Sequence, residues 1–340
     1  MTSFDDALIR LAATGPEFRH GLSNHGPMAC EALTILGRSE NIGPWLDAYQ
    51  PHLKEAPGPG RALGLDEWPG ALGVPRRYPN WLALFDRLLS EGPWAEVVSV
   101  WVPRLVPGAM AAGTHGLIRT AHATRALSVA ETDPRRHELA AGLAYWAATH
   151  QRLPGTPAPG GTLTIREALD RMPVVPLDTR GDRLISDEAA KVDQVAGFPQ
   201  AVDALAHPTS VEDSLSELTR TMAGWYLANR EGNPIDFVHG VTAPAALRLL
   251  LPYLPVSDHG AAFAYLWQAC AALRAACAVQ TPQPVARTAP TDLEALVDHA
   301  VEIGGAHAIK LTEACLREHA RSPNNLYLKA AEDVGQRLSV

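Results

Sequence analysis

The sequence predicts a mainly α protein, a single compact multi-helix domain with Pro/Gly-rich connecting loops, and three observations carry that expectation. Alanine and leucine are abundant while aromatic residues make up only 6% of the 340 residues, a balance that favours helices over strand-rich sandwiches. Apolar residues recur at three- or four-residue spacing through most of the chain. Prolines and glycines gather into a few dense breaks that separate those periodic stretches.

In chain order, the first dense break is Pro57 to Gly60. Trp81, Leu84, Phe85 and Leu88 then mark one buried helical face. The stretches from Leu153 to Gly161 and around Pro173 to Gly181 make the middle of the chain, about 153–207, its least regular part, with Val174-Val175 as a candidate short strand. Ser210 with Asp213 reads as a capping box opening a helix whose face is Val211, Leu215, Leu218, Met222 and Trp225. Pro244 suits the first turn of a helix, Gln280 to Pro290 is a further break, and Thr291 with Glu294 reads as a second capping box. No internal repeat is evident. The expectation is one domain over 1–340, with helical halves at about 1–152 and 208–340 and an irregular connection at 153–207.

Charge and composition remove several classes of function. The formal net charge is -8 with a pI near 5.9, and no basic run interleaved with aromatics could track a phosphate backbone, so nucleic acid is not an expected partner. The N-terminal residues lack the apolar core of a signal peptide, and no stretch approaches about 18 uninterrupted apolar residues. A soluble cytoplasmic protein with no membrane partner is therefore expected, either a monomer or a homodimer. Cys30, Cys270, Cys277 and Cys315 include no CxxC pair, which points to small buried thiols rather than a disulfide framework or zinc ligands.

Four segments share a pattern: Leu22-Ser-Asn-His25-Gly-Pro-Met28, Gly113-Thr-His115-Gly-Leu-Ile-Arg-Thr-Ala-His122, Phe237-Val-His239-Gly-Val-Thr242-Ala-Pro244 and Ala306-His307-Ala-Ile-Lys310. In the first three a His-Gly pair stands just before or within the start of an apolar helix, and the small neighbour leaves room beside the imidazole. Singly, each histidine reads as readily as a capping or core group as a ligand. Together they raise a metal site, because imidazole is the commonest protein metal ligand and buried neutral imidazoles need partners. His115 and His122 are seven apart and share a helical face. Lys310, one of four lysines against 25 arginines, lies three residues after His307 on an apolar helix. It either lays its methylenes over the core with its ammonium in water or takes part in chemistry.

In their shared order these segments resemble the questin oxidase-like family, whose members carry Ser-Asn-His-Gly-Pro-Met, His-Gly-Leu-Ile-Arg, His-Gly/Ala-Val-Thr and His-Ala/Val-Ile/Val-Lys-Leu/Phe-Thr-Glu-Ala. The resemblance spans roughly residues 10–330, and the last segment, continued by Ala-Cys-Leu-Arg-Glu, is the most specific. The family is associated with oxidative ring opening of anthraquinone-type polyketides in secondary metabolite biosynthesis. One characterised type resembles a non-haem iron dioxygenase whose metal is held by four histidines and a carboxylated lysine. Carried onto this chain, the resemblance implies His25, His115, His239 and His307 as Fe(II) ligands, with carboxylated Lys310 as the fifth and dioxygen as cosubstrate. It implies a small aromatic substrate. It makes His122 a reserve ligand or an acid-base group, and Thr242 a group that orients water or dioxygen. Asn24 and Glu313 become partners for imidazole N–H groups. Many relatives have acidic residues immediately before the final histidine, where this chain has Gly304-Gly305-Ala306, so no carboxylate supports His307 from there.

The chemistry explains why such residues would be needed. Lysine takes up carbon dioxide only as the neutral amine, which requires desolvation or nearby positive charge. Four imidazoles and one monodentate carbamate leave one octahedral position, unlike the two-histidine-one-carboxylate triad, which leaves several. A phenolic or hydroquinone substrate would supply electrons, with His122 removing the phenolic proton. Three other readings are weighed beside this one. A two-metal hydrolase could use a carboxylated lysine, but these segments bring no aspartate or glutamate at ligand spacing. A nicotinamide- or flavin-dependent Baeyer-Villiger monooxygenase lacks its GxGxxG after a strand. A non-catalytic small-molecule binding protein could line a pocket with Trp81, Trp101, Trp146, Trp225 and Trp267.

Overall fold

The computed structural model describes residues 3–19, 21–181, 184–232, 234–282 and 292–337. The protein is mainly α, with sixteen α-helices and one small sheet among the described residues. None of those helices is long and apolar enough to cross a membrane. The chain divides into two compact units, one of Met1–Gln151 with Leu249–Pro255 and one of Arg152–Arg248 with Val256–Val340.

The first unit opens with α1 (Phe4–Ala12), started by a reciprocal capping box between Ser3 and Asp6. Strands β1 (Thr14–Phe18), β2 (Leu22–Ser23) and β3 (Leu53–Glu55) form an antiparallel sheet in the order β2-β1-β3. The sequence did not announce this sheet: its central strand contains Gly15 and Pro16, residues that weaken or exclude a central strand by propensity. The helices that follow are α2 (Gly26–Ile35), α3 (Ile42–Tyr49), α4 (Tyr78–Glu91), α5 (Trp94–Leu105), α6 (His115–Val129) and α7 (Asp133–Ala148). Helix α4 buries Trp81, Leu84, Phe85 and Leu89, so the expected face is present with Leu88 at its rim. Helices α6 and α7 approach through Gly116 and Gly142. A Cβ at Gly116 would lie 2.7 Å from the Trp146 Cα, and one at Gly142 would lie 3.2 Å from the Thr120 Cα. The buried Arg119 clamps Glu138 across this contact with two bonds of 2.6 and 2.8 Å.

The second unit holds α8 (Ile165–Asp170), α9 (Ile185–Ala190), α10 (Phe198–Asp203), α11 (Val211–Asn229), α12 (Pro234–Leu250), α13 (Val256–Cys277), α14 (Leu293–Ile303), α15 (Ala306–Arg321) and α16 (Asn325–Arg337). Three short helices thus occupy the stretch read from the sequence as irregular. Val174-Val175 is not a strand; the Val175 N–H instead donates to the Ala275 carbonyl at 2.9 Å. On α11, Leu215, Leu218, Met222 and Trp225 are buried as the spacing predicts, while Val211 at the helix start is only half-buried. Ser210 caps it by accepting the Asp213 N–H at 3.2 Å, a simple cap rather than a reciprocal box. Thr291 lies outside the described residues, and Asp292 caps α14 by accepting the Ala295 N–H at 3.0 Å. Pro244 is not in a first turn but inside α12. The residue four before it, whose carbonyl a proline cannot bond and would crowd, is Gly240. The four cysteines are free thiols, with Cys30, Cys270 and Cys315 buried.

Candidate metal centre

In the first unit, His25 and His115 stand at the entrances of α2 and α6. His25 immediately precedes α2, and its backbone N–H donates to the Tyr49 hydroxyl at 2.8 Å. Tyr49 is itself held flat against Phe18 and Trp45, at centroid distances of 5.1 and 4.6 Å. His115 is the first residue of α6 and follows three residues with left-handed backbone: Ala112 at φ 49°, Gly113 at 64° and Thr114 at 72°. For Ala112 and Thr114 that conformation costs about 1–2 kcal/mol each. The turn points the Ala112 carbonyl back at the ring, where it accepts the His115 Nδ1–H at 2.6 Å. A carbonyl oxygen can only accept, so neutral His115 carries its lone pair on Nε2.

That lone pair meets the other ring. The two imidazoles stack at 4.7 Å and 13°, with their Nε2 atoms 2.7 Å apart. Two imidazoles bound at right angles to one metal, with bonds of about 2.1 Å, hold their nitrogens about 3 Å apart. The pair therefore fits a shared ion with a small adjustment, and without one it makes an N–H···N hydrogen bond.

In the second unit, α12 and α15 bring His239, His307 and Lys310 together. His239 donates its Nδ1–H to the Ile235 carbonyl at 2.8 Å, one turn back along α12, which again leaves the lone pair on Nε2. Its ring meets His307 edge to face at 5.3 Å. Lys310 is 1% exposed and, among the described residues, makes no ion pair and no hydrogen bond. Burial alone lowers its ammonium from an ordinary 10.5 to about 7. Burial and then the Lys310 charge lower His239 to about 3. His307 is lowered well below its ordinary value by burial, by Lys310 and by His239. At neutral pH both imidazoles are uncharged and the amine is poised to lose its proton. Two neutral imidazoles beside a buried amine form a donor set suited to a cation, and the neutral amine is the form that adds carbon dioxide.

The remaining expected residues divide. His122, on α6 and two turns beyond His115, hydrogen-bonds through Nδ1 to Glu31 Oε2 of α2 at 2.7 Å. Arg125 binds both oxygens of the same carboxylate at 2.6 Å. Burial would raise the Glu31 carboxyl, but Arg125 and His122 outweigh it and hold it below its ordinary value. Thr242 is buried and donates its hydroxyl to the Val238 carbonyl at 3.0 Å, so its oxygen is left to accept. Glu313 accepts from Arg317 at 2.9 Å. Asn24 departs from expectation: it accepts the Gly26 N–H at 2.9 Å and donates to the Gly15 carbonyl at 3.0 Å and Thr14 Oγ1 at 3.2 Å. Its side chain stitches the start of α2 to β1, because an unsatisfied helix N-terminus competes successfully for a short amide.

The room beside the imidazoles is also filled. A Cβ at Gly26 would meet Leu11 at 2.6 Å, one at Gly116 the Trp146 backbone at 2.7 Å, and one at Gly240 would run into Met222. These glycines are notches for neighbouring helices rather than space for a ligand. Sequence reasoning overlooked Glu31, Arg125 and the 112–114 turn. Glu31 had a signal, being the single acid in the apolar run Gly26–Ile35, and Arg119, His122 and Arg125 recur at helical spacing along α6. The turn had none beyond Gly113. No family model matches this chain, and no curated protein matches it.

Proposed function

We propose that this chain is a metal-dependent oxygenase, specifically a non-haem Fe(II) dioxygenase that oxidises or cleaves a ring of an aromatic, polyketide-like natural product. On the resemblance described above, its iron ligands would be His25, His115, His239, His307 and a carboxylated Lys310. The observation that carries the reading is Lys310: a buried amine that has no carboxylate partner among the described residues and that acts on two neutral imidazoles. An ordinary structural lysine keeps its ammonium in water or against an acid. The His25–His115 pair and the resemblance to questin oxidase-like proteins support the same assignment.

When bound, iron would supply the redox chemistry that lets dioxygen react with an electron-rich ring. The chain's own residues do the rest. His115 and His239 are locked into the tautomer that presents Nε2 by their bonds to Ala112 and Ile235. The carbamate on Lys310 contributes one negative charge among neutral imidazoles. His122, with Nδ1–H held by Glu31, takes the phenolic proton of the substrate on Nε2.

The test combines three measurements on the purified protein: metal content, oxygen uptake with phenolic and hydroquinone substrates, and carbon-13 NMR after incubation with labelled bicarbonate. Wild type is expected to carry iron and a labelled carbamate that Lys310→Ala lacks, together with loss of turnover. Full activity and iron content in Lys310→Ala would sink the carbamate role, and zinc without oxygen uptake would sink the oxygenase.

A further inference from the structure

Arg274, near the C-terminal end of α13, is an anomaly among the buried arginines. Arg119 clamps Glu138, and Arg248 binds Glu318 at 3.1 Å. Arg274 is 6% exposed, yet among the described residues none of its nitrogens makes a hydrogen bond or an ion pair, and Nε and Nη1 are shut off from solvent. Its guanidinium lies 4.9 Å over the Trp225 ring, which stacks on Phe237 at 6.4 Å and 18°. Guanidinium cannot shed its charge in a protein. A face-on indole offsets only part of the desolvation cost, and among the described residues the three N–H donors on Nε and Nη1 have no acceptor. Burial weighs most against the Arg274 charge; Asp170 favours that charge without a hydrogen bond or ion pair, and Arg180 opposes it.

We propose that Arg274, seated on Trp225, binds the carboxylate of a small organic acid. A carboxylate can take charge-assisted N–H bonds from the guanidinium, reached at Nη2, and its single charge matches the single cation. A phosphate dianion fits less well. Arg180 is spent on the Val175, Ala275 and Ala278 carbonyls, and the nearby end of α13 is the carbonyl end, whose dipole disfavours added negative charge. Phe237 and His239 are two residues apart on α12 and so point to nearly opposite sides of that helix, which makes this site separate from the histidine cluster. The inference does not rest on the iron reading.

The experiment titrates the full chain with benzoate, with benzamide and inorganic phosphate as controls, and follows heat by calorimetry and the unfolding midpoint by fluorimetry. Wild type is expected to bind benzoate and to be stabilised by it more than by either control. Arg274→Met should weaken binding about tenfold or more and, without benzoate, unfold at a higher temperature than wild type because an unpaired buried charge is gone. No benzoate effect on wild type overturns the proposal, as does an equal effect on Arg274→Met. Preference for phosphate overturns the carboxylate assignment. Should Arg274→Met fail to fold, the Arg274 Nε–H resonance of nitrogen-15-labelled wild type decides: it shifts with benzoate if the proposal holds and stays fixed if it does not.

Discussion

Lys310 concentrates the energetics of the candidate site at one atom. Its folded value of about 7 against an ordinary 10.5 means that the unfolded chain binds more protons between those limits. The metal-free protein therefore gains stability as pH rises from about 7 to 10.5. Lys310→Met should remove that slope and raise stability at pH 7, measured as urea midpoints across the range. His239 works in the other window: lowered from 6.5 to about 3, it makes the metal-free protein lose stability as pH falls between those values. Ala112 offers a third residue-level test. Its left-handed backbone, at φ 49°, is one that glycine adopts without strain, so Ala112→Gly should gain about 1 kcal/mol in denaturant unfolding. The same change leaves the carbonyl that orients His115 less firmly held, and a measured loss of iron affinity in the stabilised variant would express that trade.

At the scale of elements, α6 is where packing and chemistry share one helix. Gly116 lets α7 in on one side, while His115, Arg119, His122 and Arg125 carry the polar groups. Gly116→Ala puts a methyl group against the Trp146 backbone, which cannot rotate away, and should cost about 2 kcal/mol as the two helices part. Urea denaturation measures it, with Gly142→Ala as a milder companion because its contacts begin at 3.2 Å. The α2–α6 link depends instead on Glu31, which is shared by His122 and Arg125. Glu31→Gln leaves the largely buried Arg125 without its anion and should cost about 3 kcal/mol. If His122 is the base, the same variant should also move the pH profile of turnover, which simple destabilisation would not do.

For the whole molecule, helical class follows from composition and period, and the two helix faces read from spacing are largely buried: Trp81, Leu84 and Phe85 on α4, and Leu215, Leu218, Met222 and Trp225 on α11. Elsewhere the local signal is weak or ambiguous. Pro16 disguised a strand, Pro244 suggested a helix start inside α12, and three helices of six residues each were too short for periodicity to mark. Under the proposed function, metal should behave as a ligand of the native state alone. Chelation is then expected to lower the thermal midpoint of wild type and leave Lys310→Ala unmoved, as scanning calorimetry would record.

The sequence by itself determined that these histidines sit at or in helices, that Lys310 follows His307 on an apolar helix, and which faces of α4 and α11 turn inward. Such facts depend on residues within a turn or two of each other. Only the tertiary structure decided that Asn24 is spent on β1 and α2, that the glycines beside the imidazoles are filled by Leu11, Trp146 and Met222, and that Glu31 holds His122. Glu31 and His122 are 91 positions apart. Nothing local encodes that pairing, because it exists only once α2 and α6 have docked.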